Sequence, residues 1–271
     1  MRFRLLPLIC SALLWCGGAF AQQDDLREKL GEYLQTIDRL EYEAAQQEVD
    51  FIISSVQDEQ LRNKVAQIVY NHFRDSKVMG SENIAVYVYD KWFASFECVF
   101  DEIELFDEAE FYAFLNRNSL IGCKAPQIVF TDIKGKEVTA PSAPGCNIIY
   151  FYSATCPKCL YTAHRMREMF SRKNLRKFTD ANGKRKRLKI NLYAVYTGED
   201  DAEWQAYVKK NLNIANNCSI KVYHLKSEDG SYAVPYGVVQ TPRLFLTDND
   251  SVIIGRNLDA AALEILLRKG L

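Results

Sequence analysis

The fold is decided by the stretch Ile148-Ile149-Tyr150-Phe151-Tyr152-Ser153-Ala154-Thr155-Cys156-Pro157-Lys158-Cys159. Its first five residues are apolar or aromatic without a break, which is typical of a strand buried on both faces of a sheet. Two cysteines follow with two residues between them, and Pro157 stands where proline suits the first position of a helix. The stretch therefore predicts a central strand over 147–152, a Cys-X-X-Cys turn, and a helix that begins near Pro157.

The two cysteines of this turn carry the chemistry of the chain. Two intervening residues place both sulfurs on the first helical turn, so they can close and reopen a small disulfide ring. Cys156 lies at the helix N-terminus, where unpaired N–H groups and the helix dipole favour the thiolate, and Lys158 adds a cation nearby. We therefore expect Cys156 to be the exposed nucleophile and Cys159 the deeper resolving thiol, with no metal or organic cofactor.

The spacing leaves two other kinds of site open. A zinc site could recruit Cys156, Cys159 and His164, but it needs a fourth ligand, and the sequence has neither a second Cys-X-X-Cys pair nor a His-x₃₋₅-His pair. A purely structural disulfide between Cys156 and Cys159 is the other alternative, although such small rings rarely serve stability alone.

Around this stretch, strand-like and helical patterns alternate from Ala125 onward. We expect strands over 127–131, 188–196, 219–225, 243–247 and 252–254, and helices over 157–177, 201–212 and 259–269. This order predicts an α/β sandwich in which a central mixed sheet is flanked by helices. The basic run Lys184-Arg185-Lys186-Arg187 has no interleaved aromatic residues to stack on bases, so we expect a solvated loop and no nucleic-acid partner.

Residues 22–120 show a helical pattern and a different charge. Apolar residues recur every three to four positions, and Ser81 and Asp107 are candidate helix starts. The chain as a whole has a net charge of −1, but 22–120 holds 21 acidic and 9 basic side chains, and 121–271 holds 14 and 23. We therefore predict an all-α domain over 22–120. The opposite charges favour contact between the two halves, although two unrelated solvated surfaces would give the same totals.

The first 21 residues have the three parts of a secretory signal peptide. Arg2 and Arg4 precede an apolar run, and the small-X-small ending at Ala19–Ala21 predicts cleavage before Gln22. An uncleaved N-terminal anchor and a lipid attached to Cys16 are the alternatives, although a residue as bulky as the Trp before Cys16 disfavours the lipid. No later run of eighteen apolar residues exists, so we expect no membrane span in the mature chain.

Residues 121–271 resemble the thioredoxin-fold superfamily and, within it, the exported TlpA-like thiol:disulfide oxidoreductases. The residues that carry the resemblance are the Cys-X-X-Cys stretch quoted above, Ile121 to Pro126, Trp204, and Thr241-Pro242-Arg243-Leu244-Phe245-Leu246. The resemblance implies a cis Pro242 beside the two cysteines, where it keeps an N–H away from the sulfurs, and Thr241 backbone groups that pair with a substrate peptide. An acidic helical region ahead of such a module is similar to a subgroup of these proteins that is known from gram-negative cell envelopes. That similarity implies a location in the periplasm, and the helical region of the subgroup has no assigned activity.

Tyr150 departs from the pattern of this superfamily. Many members carry a buried acid six residues before the first active-site cysteine as proton acceptor for the second, and a tyrosine cannot act as a carboxylate base near neutral pH. A nearby Glu or water would then deprotonate Cys159, or the exchange would be slower. The related peroxiredoxins are a rival class, but their signature needs a proline where Ile149 stands, although Ser153 fits its second requirement.

We therefore predict a thioredoxin-like domain that exchanges thiols and disulfides with other proteins, with the reductase direction favoured and an upstream redox donor implied. Its catalytic residues would be Cys156 and Cys159, supported by Pro157, Lys158, Thr241 and Pro242. A non-enzymatic binding module on the same scaffold is the alternative function. Four further cysteines, Cys98, Cys123, Cys146 and Cys218, are compatible with a structural disulfide in an exported protein, but the sequence does not assign a pairing.

Overall fold

The computed structural model describes residues 21–171, 189–217 and 219–269, and over these residues the expected mixed sheet flanked by helices and preceded by a helical region is confirmed. Residues 1–20 of the expected signal peptide, the basic run 184–187 and Cys218 lie outside the described residues. Within the described ranges, no helix combines the length and the apolar character that crossing a bilayer requires.

The N-terminal half consists of helices around one core. These are α1 (Ala21–Ile37), α2 (Tyr42–Ser54), α3 (Glu59–Asp75), α4 (Ser81–Val88), which continues into a π-helical turn (Tyr89–Phe93), and α5 (Ile103–Asn116), which ends in a 3₁₀ turn (Arg117–Ser119). Their apolar stripes meet in a single cluster that runs from Leu34 to Leu120. Ser81 begins α4 as expected, but α5 begins at Ile103 and not at Asp107. The reason is that Asp107 lies on the exposed face of the second turn and does not cap the helix.

The described residues of the second half form a seven-stranded sheet. Its strands are β1 (Ile128–Asp132), β2 (Glu137–Ala140), β3 (Cys146–Tyr152), β4 (Ile190–Tyr196), β5 (Ile220–Lys226), β6 (Arg243–Thr247) and β7 (Ile253–Gly255). The order across the sheet is β2-β1-β5-β4-β3-β6-β7, with β3 parallel to β4 and antiparallel to β6. Every residue of β3 and β4 is buried, as the unbroken apolar run of β3 predicts.

Helices cover the two faces of the sheet differently. On one face, α6 (Pro157–Met169) packs against α7 (Asp201–Asn211) and α9 (Ala260–Lys269), and all three enclose the larger core of this half. On the other face, a second core includes the short helix α8 (Ala233–Tyr236), and α5 of the helical half packs against α8. The helical half is therefore joined to the sheet on the face opposite α6.

Candidate active site

The two cysteines lie where the central strand passes into α6. β3 ends at Tyr152, and Cys156 is the N-cap of α6, with Pro157 as its first helical residue. The backbone N–H of Cys159 donates a hydrogen bond of 3.3 Å to the Cys156 sulfur. The sulfur therefore takes the capping role that Ser, Thr or Asp usually has and satisfies one of the N–H groups that a helix leaves unpaired.

This position favours the Cys156 thiolate. Burial alone would raise the pKa of Cys156, but hydrogen bonds from the Cys159 side chain and backbone outweigh it, so the pKa lies below the ordinary cysteine value. Lys158 contributes through its backbone N–H, while its side chain is exposed. A partly exposed thiol with a lowered pKa is a good nucleophile.

Cys159 has the opposite environment. Its side chain is fully buried in the core beneath α6, and burial followed by the Cys156 side chain raises its pKa to about 11. The Cys159 thiol therefore stays protonated near neutral pH. The two sulfurs of one turn thus differ strongly in both access and acidity.

The loop before β6 brings two more predicted site residues to the cysteines. The Thr241–Pro242 peptide bond is cis, and the Cys156 thiol donates a hydrogen bond of 3.4 Å to the Thr241 carbonyl. Proline at 242 has no N–H to direct at the sulfur. The structure therefore brings Cys156, Cys159, Thr241 and Pro242 together, although 85 residues separate Cys156 from Thr241.

Tyr150 occupies the place of the missing acid. Its side chain is fully buried, and its hydroxyl donates a hydrogen bond of 2.8 Å to the backbone carbonyl of Cys159. Burial, followed by the Cys159 thiol, raises the pKa of Tyr150 far above its ordinary value. The hydroxyl therefore stays protonated and fixes the first turn of α6 from below.

A cluster of aromatic side chains behind Cys159 was not predicted. Tyr152 stacks on Tyr150 and on Tyr207 of α7, with ring centroids 5.3 and 4.9 Å apart. The helical spacing of Tyr207, three residues after Trp204, was the available signal, because that spacing places both on one face of α7. Leu160, Tyr161 and Val239 near the cysteines and the Thr241 loop are exposed.

None of the five cysteines that the structure describes is in a disulfide. Cys98 is buried in the helical core and Cys146 begins β3, so neither reaches the surface. The Cys123 thiol points to the carbonyl of Arg117, 3.7 Å away. His164 of the zinc alternative is exposed and lies 3.9 Å from Glu168, and the described residues contain no group of three side chains suited to a metal ion.

Comparison with a solved structure supports the architecture. A scan against protein-family models finds no match, and a search of curated proteins also finds none. Among solved structures, a thioredoxin-like protein from Bacteroides caccae superposes with a TM-score of 0.65 at 16% identity, covering 92% of this chain and 84% of that one. A domain of a possible thiol-disulfide isomerase from Cytophaga hutchinsonii matches 54% of this chain and 89% of its own length, at 21% identity and a TM-score of 0.41.

Proposed function

We propose that this chain, which has the thioredoxin fold, is a protein thiol:disulfide oxidoreductase that reduces disulfides of other proteins through Cys156 and Cys159. One observation carries the proposal, namely the contrast between the two sulfurs. Cys156 is accessible and has a lowered pKa, whereas Cys159 is buried and has a pKa raised to about 11. Such a pair has one attacking thiol and one thiol held in reserve.

The reaction proceeds in two balanced steps. The Cys156 thiolate attacks one sulfur of a substrate disulfide, and the electron pair of the broken bond leaves with the other substrate sulfur, which takes a proton. Cys159 then loses its proton and attacks Cys156, which forms the 156–159 disulfide and releases the second substrate sulfur as a thiol. The substrate gains two electrons, the pair loses two, and a dithiol donor upstream restores the pair.

The surroundings of Cys156 suit an extended peptide. The Thr241 carbonyl faces the sulfur, so a substrate strand that pairs with this loop would bring its own disulfide to Cys156. Pro157 and Pro242 flank the sulfur without offering a side-chain donor or acceptor. The exposed Leu160, Tyr161 and Val239 add apolar contact area for a protein substrate.

The proposal includes a compartment and a division of the chain. The signal-peptide pattern supports export, and cleavage after Ala21 would place the protein in the periplasm of a gram-negative cell. The separate hydrophobic cores of the two halves support a domain boundary near residue 120. We infer no activity for the helical half.

Insulin-disulfide reduction by the purified protein, with dithiothreitol as donor, tests the function. Wild type should accelerate the precipitation of insulin chains, and Cys156→Ser should fall to the rate of dithiothreitol alone. Cys123→Ser is the matched control, because it removes a partly exposed cysteine outside the site and should keep the wild-type rate. Equal background rates for wild type and Cys156→Ser would leave a binding module on this scaffold as the better description.

A further inference from the structure

The loop over 237–242, which joins α8 to β6, faces Cys156 but is weakly held between its ends. It presents the Thr241 carbonyl to the Cys156 sulfur at 3.4 Å. The tip of the loop, residues 239–240, is exposed, and its backbone makes no hydrogen bond to another residue that the structure describes. The position of the loop at the cysteine is therefore set by the contacts at its two ends.

An arginine side chain bridges the two ends of this loop. Arg243 is the first residue of β6 and pairs with Phe151 of the central strand, so the sheet fixes its backbone. Its guanidinium Nη2 donates a hydrogen bond of 3.3 Å to the carbonyl of Gly237, six residues earlier. The side chain is half-buried, which limits competition from water. Arg243 thus connects the first residue of the loop to the strand that follows the last.

The first residue of the loop also contacts the helical half. Gly237 is buried with a φ of 59°, and a Cβ there would lie 2.5 Å from the carbonyl oxygen of Leu115 in α5. Only a residue without a Cβ can come this close to the end of that helix. The packing of α8 against α5 maintains the approach. The end of α5 therefore limits where the loop can begin.

We propose that Arg243 and the end of α5 position the 237–242 loop for substrate binding, so that the helical half supports the site without chemistry of its own. The inference rests on the proposed function, since it concerns the loop that pairs with a substrate strand. With both contacts in place, the Thr241 backbone is already ordered when an extended peptide arrives, and binding loses less free energy to ordering the loop. Arg243 acts through the loop and is a positioning residue.

Two substitutions remove one contact each. Arg243→Met deletes the hydrogen bond to Gly237, and Gly237→Ala forces the start of the loop away from α5. Initial rates with fluorescein-labelled insulin, whose fluorescence rises when its chains separate, give KM and kcat with dithiothreitol as donor. The rate of Cys156 alkylation by iodoacetamide, followed by mass spectrometry, measures the reactivity of the thiol without strand pairing. The controls are Gly230→Ala, with a φ of 69° and open space, and Arg268→Met, an exposed arginine of α9.

We expect Arg243→Met and Gly237→Ala to raise the KM for insulin about fivefold, with kcat and the alkylation rate within about twofold of wild type, because each loses a contact that orders the loop before binding. Both controls should keep the wild-type KM. An unchanged KM in either variant, or an equal rise in a control, would overturn the positioning role alone, and Arg243→Met decides by itself if Gly237→Ala does not fold. If wild type reduces insulin no faster than Cys156→Ser, the proposed function fails as well.

Discussion

The Arg256 guanidinium, fully buried after β7, donates a hydrogen bond of 2.5 Å to the side chain of Asn116, the last residue of α5. It also donates to Ser119 at 3.4 Å and lies 3.7 Å from the Glu82 carboxylate. All three partners belong to the helical half. A cation from the sheet is thus enclosed by the ends of two helices, and this contact fixes how the halves meet.

A second arginine, Arg243, is electrostatically linked to Arg256. Burial lowers the pKa of Arg256, and burial followed by the charge of Arg256 lowers the pKa of Arg243 to about 10. Glu82 raises both pKa values. Arg243 directly follows Pro242, so the charge cluster lies next to the loop that faces Cys156 in the site. The carboxylate of Glu82 therefore offsets one buried and one half-buried positive charge.

We expect Glu82→Gln to destabilise the protein by about 3 kcal/mol, because it leaves the buried guanidinium of Arg256 and the half-buried one of Arg243 without an anionic partner. Urea unfolding followed by circular dichroism measures the difference. Glu104→Gln is the control, since Glu104 is an exposed acid on α5, and its replacement should change the free energy of unfolding by less than about 0.5 kcal/mol. Equal effects of the two substitutions would contradict the role of Glu82.

The stability lost in Glu82→Gln should depend on Arg256. Arg256→Met keeps much of the side-chain volume and removes one buried charge, so in this background Glu82→Gln should cost at least about 1 kcal/mol less than in wild type. The same urea unfolding measurement on the double variant completes the cycle. Additive free energies would show that Glu82 stabilises the fold by a route other than Arg256.

Gly237 tests the contact between α8 and α5. It has a φ of 59°, and a Cβ there would lie 2.5 Å from the carbonyl oxygen of Leu115. Gly230 has a similar φ of 69° but open space around its Cβ position. Gly237→Ala should therefore lower the free energy of unfolding by at least about 1 kcal/mol more than Gly230→Ala, which carries only the backbone strain. Thermal and urea unfolding of both variants give this difference, and equal losses would contradict the close approach.

His224 in β5 should make stability depend on pH. Burial lowers its pKa to about 4, and its Nδ1 has no hydrogen-bond partner among the described residues. The unfolded chain, with a histidine pKa of about 6.5, binds the proton more readily, so stability is complete above that pH and falls toward pH 4. The loss is up to about 3 kcal/mol at about 1.4 kcal/mol per pKa unit.

The corresponding measurement compares wild type with His224→Gln in urea at pH 7.5, 5.5 and 4.5. The free-energy difference between the two proteins should move in favour of the variant as the pH falls. His164→Gln, which removes an exposed imidazole on α6, is the matched control. Parallel curves for wild type and His224→Gln would show that His224 is protonated equally in both states.

The sequence predicts the sheet and the cysteine pair well because both depend on local order. The unbroken apolar and aromatic run at 148–152 and the Cys-Pro-X-Cys turn can be recognised without knowing which distant residues they contact. The short strand β2 and helix α8 were not specified, because their few residues are held by packing against other elements. The helix start at Asp107 was wrong because an acidic residue suits the early turns of a helix as well as its cap.

Contacts between residues that are far apart in the sequence could not be predicted, and the reason is physical. The junction of Arg256 with Asn116 and the position of Tyr207 behind Cys159 both depend on how separate helices pack on the sheet. Arginine is almost always expected at the surface, so nothing in its local sequence marks Arg256 as buried. The resemblance correctly implied a cis Pro242. The bond from Tyr150, which stands where the acid is missing, to the Cys159 carbonyl depends on the tertiary arrangement and could not be predicted.

The acidity of Cys156 should depend on its partner. Because hydrogen bonds from the Cys159 side chain and backbone hold the pKa of Cys156 below its ordinary value, Cys159→Ala should raise that pKa and slow the alkylation of Cys156 by iodoacetamide severalfold at pH 7. The backbone bond of 3.3 Å persists in the variant, so part of the lowering should remain. Mass spectrometry of the Cys156 peptide over a pH series gives the midpoint, with Cys123→Ser as control. An unchanged midpoint in Cys159→Ala would assign the lowered pKa to the helix N-terminus alone.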